Sequence, residues 1–331
     1  MRFIFLSIFL STLIVTFECS KVIELKCNPN FDVQSIVHLP YRCINGLSCF
    51  FEEIHVDEST SLVLNYDEAN YGLDCVGFVN STISKLPSNL FNKYKAVNSL
   101  YASGIDLLHL PSETFENATN MLDMNLSWNK LTKLDEKVFT PCTNLRKLVL
   151  NHNEIEEIDV DAFDKLYQLE ELDISNNKLS LIPHKALAQL ERLRVLNLSN
   201  NTFIVRYGQF PNSLVTLDLS YNKLENFTLK SIISLTKLKY LHLNGNRIFR
   251  FRQHIFPDGI LDVLKSLKHI QLSDNEFYCT TLADIFIWME KYKVTIDVVP
   301  HLIILNSSNI HGVGCKEESR YLLKNRTKQI I

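Results

Sequence analysis

The feature that most limits what this chain can fold into is a leucine series with a fixed period. It restarts at Leu73, Val97, Met121, Leu145, Leu169, Leu193, Leu214, Leu238 and Leu267, giving steps of 24, 24, 24, 24, 24, 21, 24 and 29 residues. In the unit Leu169–Arg192, the residues Leu169, Leu172 and Ile174 read as one face of a short strand. Leu179, Ile182, Leu187 and Leu190 follow no single period and read as a turn returning along the far side. One such coil has about as many apolar as polar side chains and cannot bury them alone; like coils on either side let it.

The string L-x-x-L-x-L-x-x-N-x-L at this spacing is the leucine-rich repeat signature. The expected fold is therefore an α/β solenoid, a leucine-rich repeat horseshoe with a concave parallel β-sheet and disulfide-bonded caps at both ends. Positions 1, 4, 6 and 11 of each unit supply the inner wall of the core, as Leu145, Leu148, Leu150 and Ile155 illustrate. Position 19 carries Phe91, Phe115, Phe139, Phe163, Leu187, Ile232 and Phe256, an outer stack. Position 9 is Asn129, Asn153, Asn177, Asn201, Asn222, Asn246 or Asn275. An amide there satisfies backbone groups of its own and the neighbouring turn. Ser81 and Ile105 break that series in the first two units, so this end is expected to be less regular. Strands about 4.8 Å apart on the inner side, with bulkier segments outside, predict a bend with the strands concave. The short unit Leu193–Ser213 closes with QFPNS in place of a full outer turn; the long unit Leu238–Ser266 adds FPDGILDVLKS, expected on the convex side.

The expected layout is a signal peptide at 1–20, an N-terminal cysteine cap at 21–72, nine repeats at 73–277, a C-terminal cap at 278–315 and a charged tail at 316–331. The first coil of a solenoid needs a cover, and CFFEEIHV (Cys49–Val56), which alternates like an edge strand, is assigned that role. Cys27, Cys43, Cys49 and Cys75 allow three pairings. The favoured expectation is Cys27–Cys43 with Cys49–Cys75, the second tying cap to coil, although spacing alone does not choose. Beyond Phe277, TLADIFIWMEKY suits a short helix and TIDVV a strand, with Cys279–Cys315 closing the far end. Cys142 is left without a partner at position 22, where neighbouring units carry Leu166, Leu190 and Leu235; it reads as a small buried hydrophobe.

Arg2 followed by the apolar run Phe3–Phe17 reads as a secretory signal. Later apolar stretches are too short or too interrupted to span a membrane, and the charged C-terminus lacks a lipid-anchor tail. The expected location is extracellular, as a secreted protein. The sequons at Asn80, Asn117, Asn125, Asn197, Asn200, Asn226, Asn306 and Asn325 suit secretion. A net charge of −3 argues against a nucleic-acid partner. RIFRFRQH (Arg247–His254), the one basic cluster, reads as a solvated edge. No H-E-x-x-H, G-x-S-x-G, G-x-G-x-x-G or phosphate loop occurs, and no Cys/His set has zinc spacing. The expectation is a non-enzyme without cofactor or metal.

Recognition then falls to side chains between the buried leucines: Tyr101, Trp128 and His152 near the N-terminal half, Glu170, Glu171 and Asp173 in the middle, and Asp218, Tyr221, Tyr240, His242 and His269 beyond. Exposed aromatics anchor protein interfaces, so Tyr221, Tyr240 and His242 beside Asp218 are expected to form a contact patch for a protein or glycoconjugate ligand. Asn125 and Asn197 are at position 5 and face the same concavity, so glycans there would obstruct it.

The 24-residue coils with Phe at position 19 and cysteine caps resemble the extracellular leucine-rich repeat proteins of animals. The strings YRCINGLSCFFEEIHV, VGFVNSTISKLPSNLF and NIHGVGC are similar to those of insect Toll-type ectodomains and mosquito secreted leucine-rich immune proteins. The resemblance covers about Cys27–Cys315 and implies a secreted recognition protein of innate immunity, with an adhesion or developmental ligand-binding role as the alternative. Two departures limit it: no membrane span or signalling domain is expected here, and the coiled coil and adjacent cysteine pair of the longer mosquito proteins are missing.

Overall fold

The structure, a computed structural model, describes residues 22–25, 48–56, 61–64, 72–87, 90–206, 208–225, 227, 229–249, 265–297, 309–310 and 313–316. Its main sheet has 11 strands: Ser48–Glu52, Cys75–Val79, Ser99–Tyr101, Asp123–Asn125, Lys147–Val149, Glu171–Asp173, Val195–Asn197, Thr216–Asp218, Tyr240–His242, His269–Gln271 and Thr295–Asp297. Every pairing in it is parallel, and the strands lie in chain order. The register never slips, with Leu148 beside Leu172, Leu172 beside Leu196 and Leu196 beside Leu217. Those leucines are buried, while the residues on either side of each point off the other, concave face. One strand per coil, each with a single inward side chain, makes the chain a solenoid.

Behind the sheet, the phenylalanine column closes the core. Ring centroids are 5.9 Å apart for Phe91–Phe115, 5.5 Å for Phe115–Phe139 and 6.3 Å for Phe139–Phe163, and all four rings are buried. Burying each such side chain contributes roughly 1.5–3 kcal/mol. Between the two walls runs the asparagine ladder. Asn177 Nδ2 donates to the carbonyls of Ile174 and of Leu150 one coil back, at 3.1 and 3.0 Å, and its Oδ1 accepts from the Ile155 amide at 2.9 Å. Asn153, Asn201 and Asn246 repeat the pattern. Where Ser81 replaces asparagine, its hydroxyl donates to Val79 and accepts from the Ile54 amide of the cap.

The short unit is closed by Gln209, whose Nε2 bonds the Ile182 carbonyl at 3.0 Å, and by Phe210 packed against Phe203. A cavity of about 480 Å³ remains on the convex side there, between the helix His184–Ala188 and Pro211. Residues 250–264, with Phe256, His254 and most of the long unit's insertion and of the basic cluster, lie outside the described residues, as do the signal segment, Cys27, Cys43 and the charged tail beyond Lys316.

At the N-terminal end, Ser48–Glu52 is the edge strand, as expected, but it does not alternate. Cys49, Phe50 and Phe51 are all buried. Phe51 stacks on Phe78 in the core, whereas the Phe50 ring occupies the space left by Gly77 on the other face. Cys49 and Cys75 are both disulfide-bonded. The register sets Cys49 beside Val76 and Cys75 beside Ser48, which sends the two sulfurs to opposite faces of the sheet. The expected Cys49–Cys75 bridge is therefore not made, and the partners of both lie outside the described residues.

At the other end, the helix Cys279–Tyr292 buries Leu282, Ile285, Trp288 and Met289 against the last coil, and Thr295–Asp297 adds the final strand. The Cys279–Cys315 disulfide is formed. Cys142 is free and fully buried, and burial pushes its thiol up to about 12. Among the described residues no helix is long and apolar enough to cross a membrane.

Candidate functional site

Two backbone devices shape the concave face. The first sits at the end of four of the strands. Asn125, Asp173, Asn197 and Asp218 each turn Oδ1 onto the amide of the serine two residues on, at 3.0, 2.9, 3.0 and 2.8 Å. The serine hydroxyls of three of them donate to the same Oδ1, at 2.6 Å for Ser127, 2.8 Å for Ser199 and 2.6 Å for Ser220. This turn explains the sequence N-L-S or D-x-S without invoking a ligand. It also engages the Oδ1 atoms of sequons Asn125 and Asn197, the first residue buried and the second half-buried. Asn80, Asn117 and Asn200 are exposed. Asn226, Asn306 and Asn325 lie outside the described residues.

The second device is one residue further along. There the backbone amide crosses to the carbonyl of the next coil, as in Trp128 to Asn151 at 3.0 Å, His152 to Ser175 at 3.1 Å and Tyr221 to Asn244 at 2.8 Å. Reaching it requires a left-handed turn. All the column members have positive φ: Asn80, Gly104, Trp128, His152, Asn176, Asn200, Tyr221, Gly245 and Asp274. Glycine, asparagine and aspartate adopt this conformation readily, whereas other residues lose roughly 1–2 kcal/mol. Trp128, His152 and Tyr221 are bulky residues held there, and strained backbone of this kind clusters at functional sites.

The predicted residues separate into distinct groups. Tyr101 is not on the open face: it is only 8% exposed, and burial raises its phenol, a hydrogen bond with Ser103 acting the other way. It stands next to Gly77 in register, near the N-terminal edge of the sheet. Trp128 and His152 lie flat on one another, centroids 3.7 Å apart and planes 7° from parallel. They border a concave cavity of about 550 Å³ whose lining includes Asn125, Val149, Glu171, Asp173, Val195 and Asn197. Glu171 is paired there with Lys147 at 2.8 Å, and Glu170, half-buried, lies just before this strand. Further on, His242 Nδ1 is 3.8 Å from Asp218 Oδ2, and His269 stands 6.5 Å from His242 and 6.3 Å from Tyr240, centroid to centroid. Tyr240 is 44% and Tyr221 55% exposed, but the Tyr221 ring leans over Gly245. Among the described residues no cluster of three or more His, Cys, Asp or Glu side chains is arranged to hold a metal ion.

Residues 95–155, 143–203 and 206–248 match the family described as Leucine rich repeat. These are leucine-rich repeats. The chain is similar to solved structures. It matches the Toll–Spatzle complex of Drosophila at 25% identity and a TM-score of 0.60, over 72% of this chain and 34% of that one. The TLR13–ssRNA13 complex matches at 25% identity and 0.57, over 67% and 30%. Human 5T4, a trophoblast glycoprotein also called Wnt-activated inhibitory factor 1, matches at 26% and 0.55, over 68% and 85%. The match therefore spans about a third of the length of the Toll and TLR13 chains. No curated protein sequence gives a significant match.

Sequence reading missed Gly104, Val149, Asn151, Val195 and Gly245. The signal was present in the left-handed column, where an aromatic among glycines and asparagines is the anomaly.

Proposed function

We propose that this chain is a secreted, non-enzymatic recognition protein that binds a protein ligand through the concave side of its repeats. The observation that carries the reading is the cluster of Asp218, Tyr240, His242 and His269 on three adjacent strands, with Tyr221 at the rim. Tyrosines that present large rigid surfaces with a polar tip are the residues that dominate protein interfaces. The likeness to Toll supports an innate-immune role for that binding, and the exposed sequons at Asn80, Asn117 and Asn200 accord with secretion. The test is binding of the secreted protein to a purified partner: Tyr221→Ala with Tyr240→Ala abolishes it, and undiminished binding by that variant discards the patch.

A second reading, adhesion or developmental ligand binding, is favoured by one observation. The match covers 85% of the 5T4 chain but only 34% of the Toll chain. Induction of expression by bacterial challenge supports the immune role; steady embryonic or neuronal expression supports the second.

A further inference from the structure

We infer that the concave cavity beside Trp128 binds a neutral oligosaccharide, a β-linked pyranose stacking on the open face of the indole. The site involves other coils than Tyr221 and Tyr240 and does not rest on the reading above.

Three features converge on this ligand. Trp128 is 60% exposed although His152 covers one face of its ring. Its neighbour on the other side of the left-handed column is Gly104, which has no side chain to cover the second face, and the ring does not lean over that glycine. A flat aromatic face carries negative potential and attracts the polarised C–H groups that line one side of an equatorially substituted sugar.

The cavity also has no surplus of positive charge: Lys147 and Glu171 neutralise one another, and Asp173 adds a carboxylate whose Oδ1 is held by its own turn. What remains is a polar rim of amides over Val149 and Val195. Asn151 Oδ1, in the cavity wall, is buried without a hydrogen-bond partner among the described residues. The rim amides suit hydroxyl groups, which both donate and accept. A nucleic-acid base would stack on Trp128 equally well, but its phosphates need a basic groove. The chain's net charge is −3 and Lys147 is already paired.

The chain has two tryptophans, and Trp288 is buried, so the emission of an exposed indole belongs to Trp128. Full-length protein with its native rim, secreted into a bacterial periplasm where disulfides form and N-glycans are not added, is titrated with chitotetraose and with cellotetraose. The expected result is a saturable blue shift with at least one of them. Trp128→Asn, the residue found at Asn176 and Asn200 in the same column, folds and shows no saccharide binding by isothermal titration calorimetry, a readout that does not depend on the indole. His152→Asn weakens the affinity by about tenfold, as removal of a stacking partner does. Tyr221→Ala with Tyr240→Ala leaves saccharide binding unchanged. No response to either sugar at millimolar concentration, a response that survives Trp128→Asn, or saturable binding of polyuridylate in place of the sugars overturns the inference.

Discussion

The ring of Tyr221 occupies the space that a Cβ on Gly245 would fill, so these two residues can coexist only while position 245 has no side chain. Gly245 and Gly104 both belong to the left-handed column, with φ of 66° and 67°. A Cβ on Gly104 meets nothing closer than Trp128, at 4.0 Å.

The two glycines therefore make a controlled pair. Gly104→Ala is expected to lower stability by about 1–2 kcal/mol, the cost of an L-residue in this conformation. Gly245→Ala carries the same backbone cost and must also swing Tyr221 aside, about 0.5–1.5 kcal/mol more if the ring leaves its rotamer. Urea midpoints of the two variants check the difference. Loss of partner binding in Gly245→Ala, with Gly104→Ala unaffected, further supports a role for Tyr221 in the interface.

Breaking the asparagine ladder tests what holds coil to coil. Asn177→Ala deletes bonds to Leu150, Ile155, Ile174 and Ser175 at once. A buried group left unsatisfied costs about 1–3 kcal/mol, so a loss of at least that size is expected in equilibrium denaturation. A variant as stable as the parent would mean that water replaces the amide.

The sequence disclosed the fold because period and burial are one fact: Leu148, Leu172 and Leu196 recur at 24 residues and share one register. It disclosed less of the site. Tyr101 and Trp128 both read as outward aromatics, yet the cap end buries the first, and only packing could reveal that. The Cys49–Cys75 expectation failed for a related reason, since proximity in adjacent strands does not decide which face a sulfur takes. Sequons Asn125 and Asn197 read as glycan sites from the sequence, which could not show that the Oδ1 of each asparagine also serves a strand-end turn.

That last point has its own test. Asn125→Asp is expected to leave stability within about 0.5 kcal/mol, because Asp173 and Asp218 make the same turn. Asn125→Ala removes the acceptor for both the amide and hydroxyl of Ser127 and should lower stability by about 1–3 kcal/mol, the cost of a buried polar group left unpaired. Thermal or urea unfolding of the two distinguishes them, and peptide mapping after enzymatic deglycosylation reports whether the native Asn125 carries a glycan.

Cys142 gives a prediction in pH. Its thiol is raised by burial from 9.0 to about 12, so between those values the unfolded chain releases this proton while the folded chain keeps it. Stability then falls as pH rises, because the folded state binds more protons in that window. Below the unfolded value the effect is absent. Cys142→Ala should remove this component of the alkaline slope while lowering stability at neutral pH through the small void it leaves. The same burial withholds the thiolate that alkylating reagents need. Iodoacetamide at mildly alkaline pH is therefore expected to leave the Cys142 peptide unmodified in the native protein and to label it after denaturation. Rapid native labelling, or an alkaline slope identical in the two proteins, would show that the thiol is reached from solvent and is not sealed in the core.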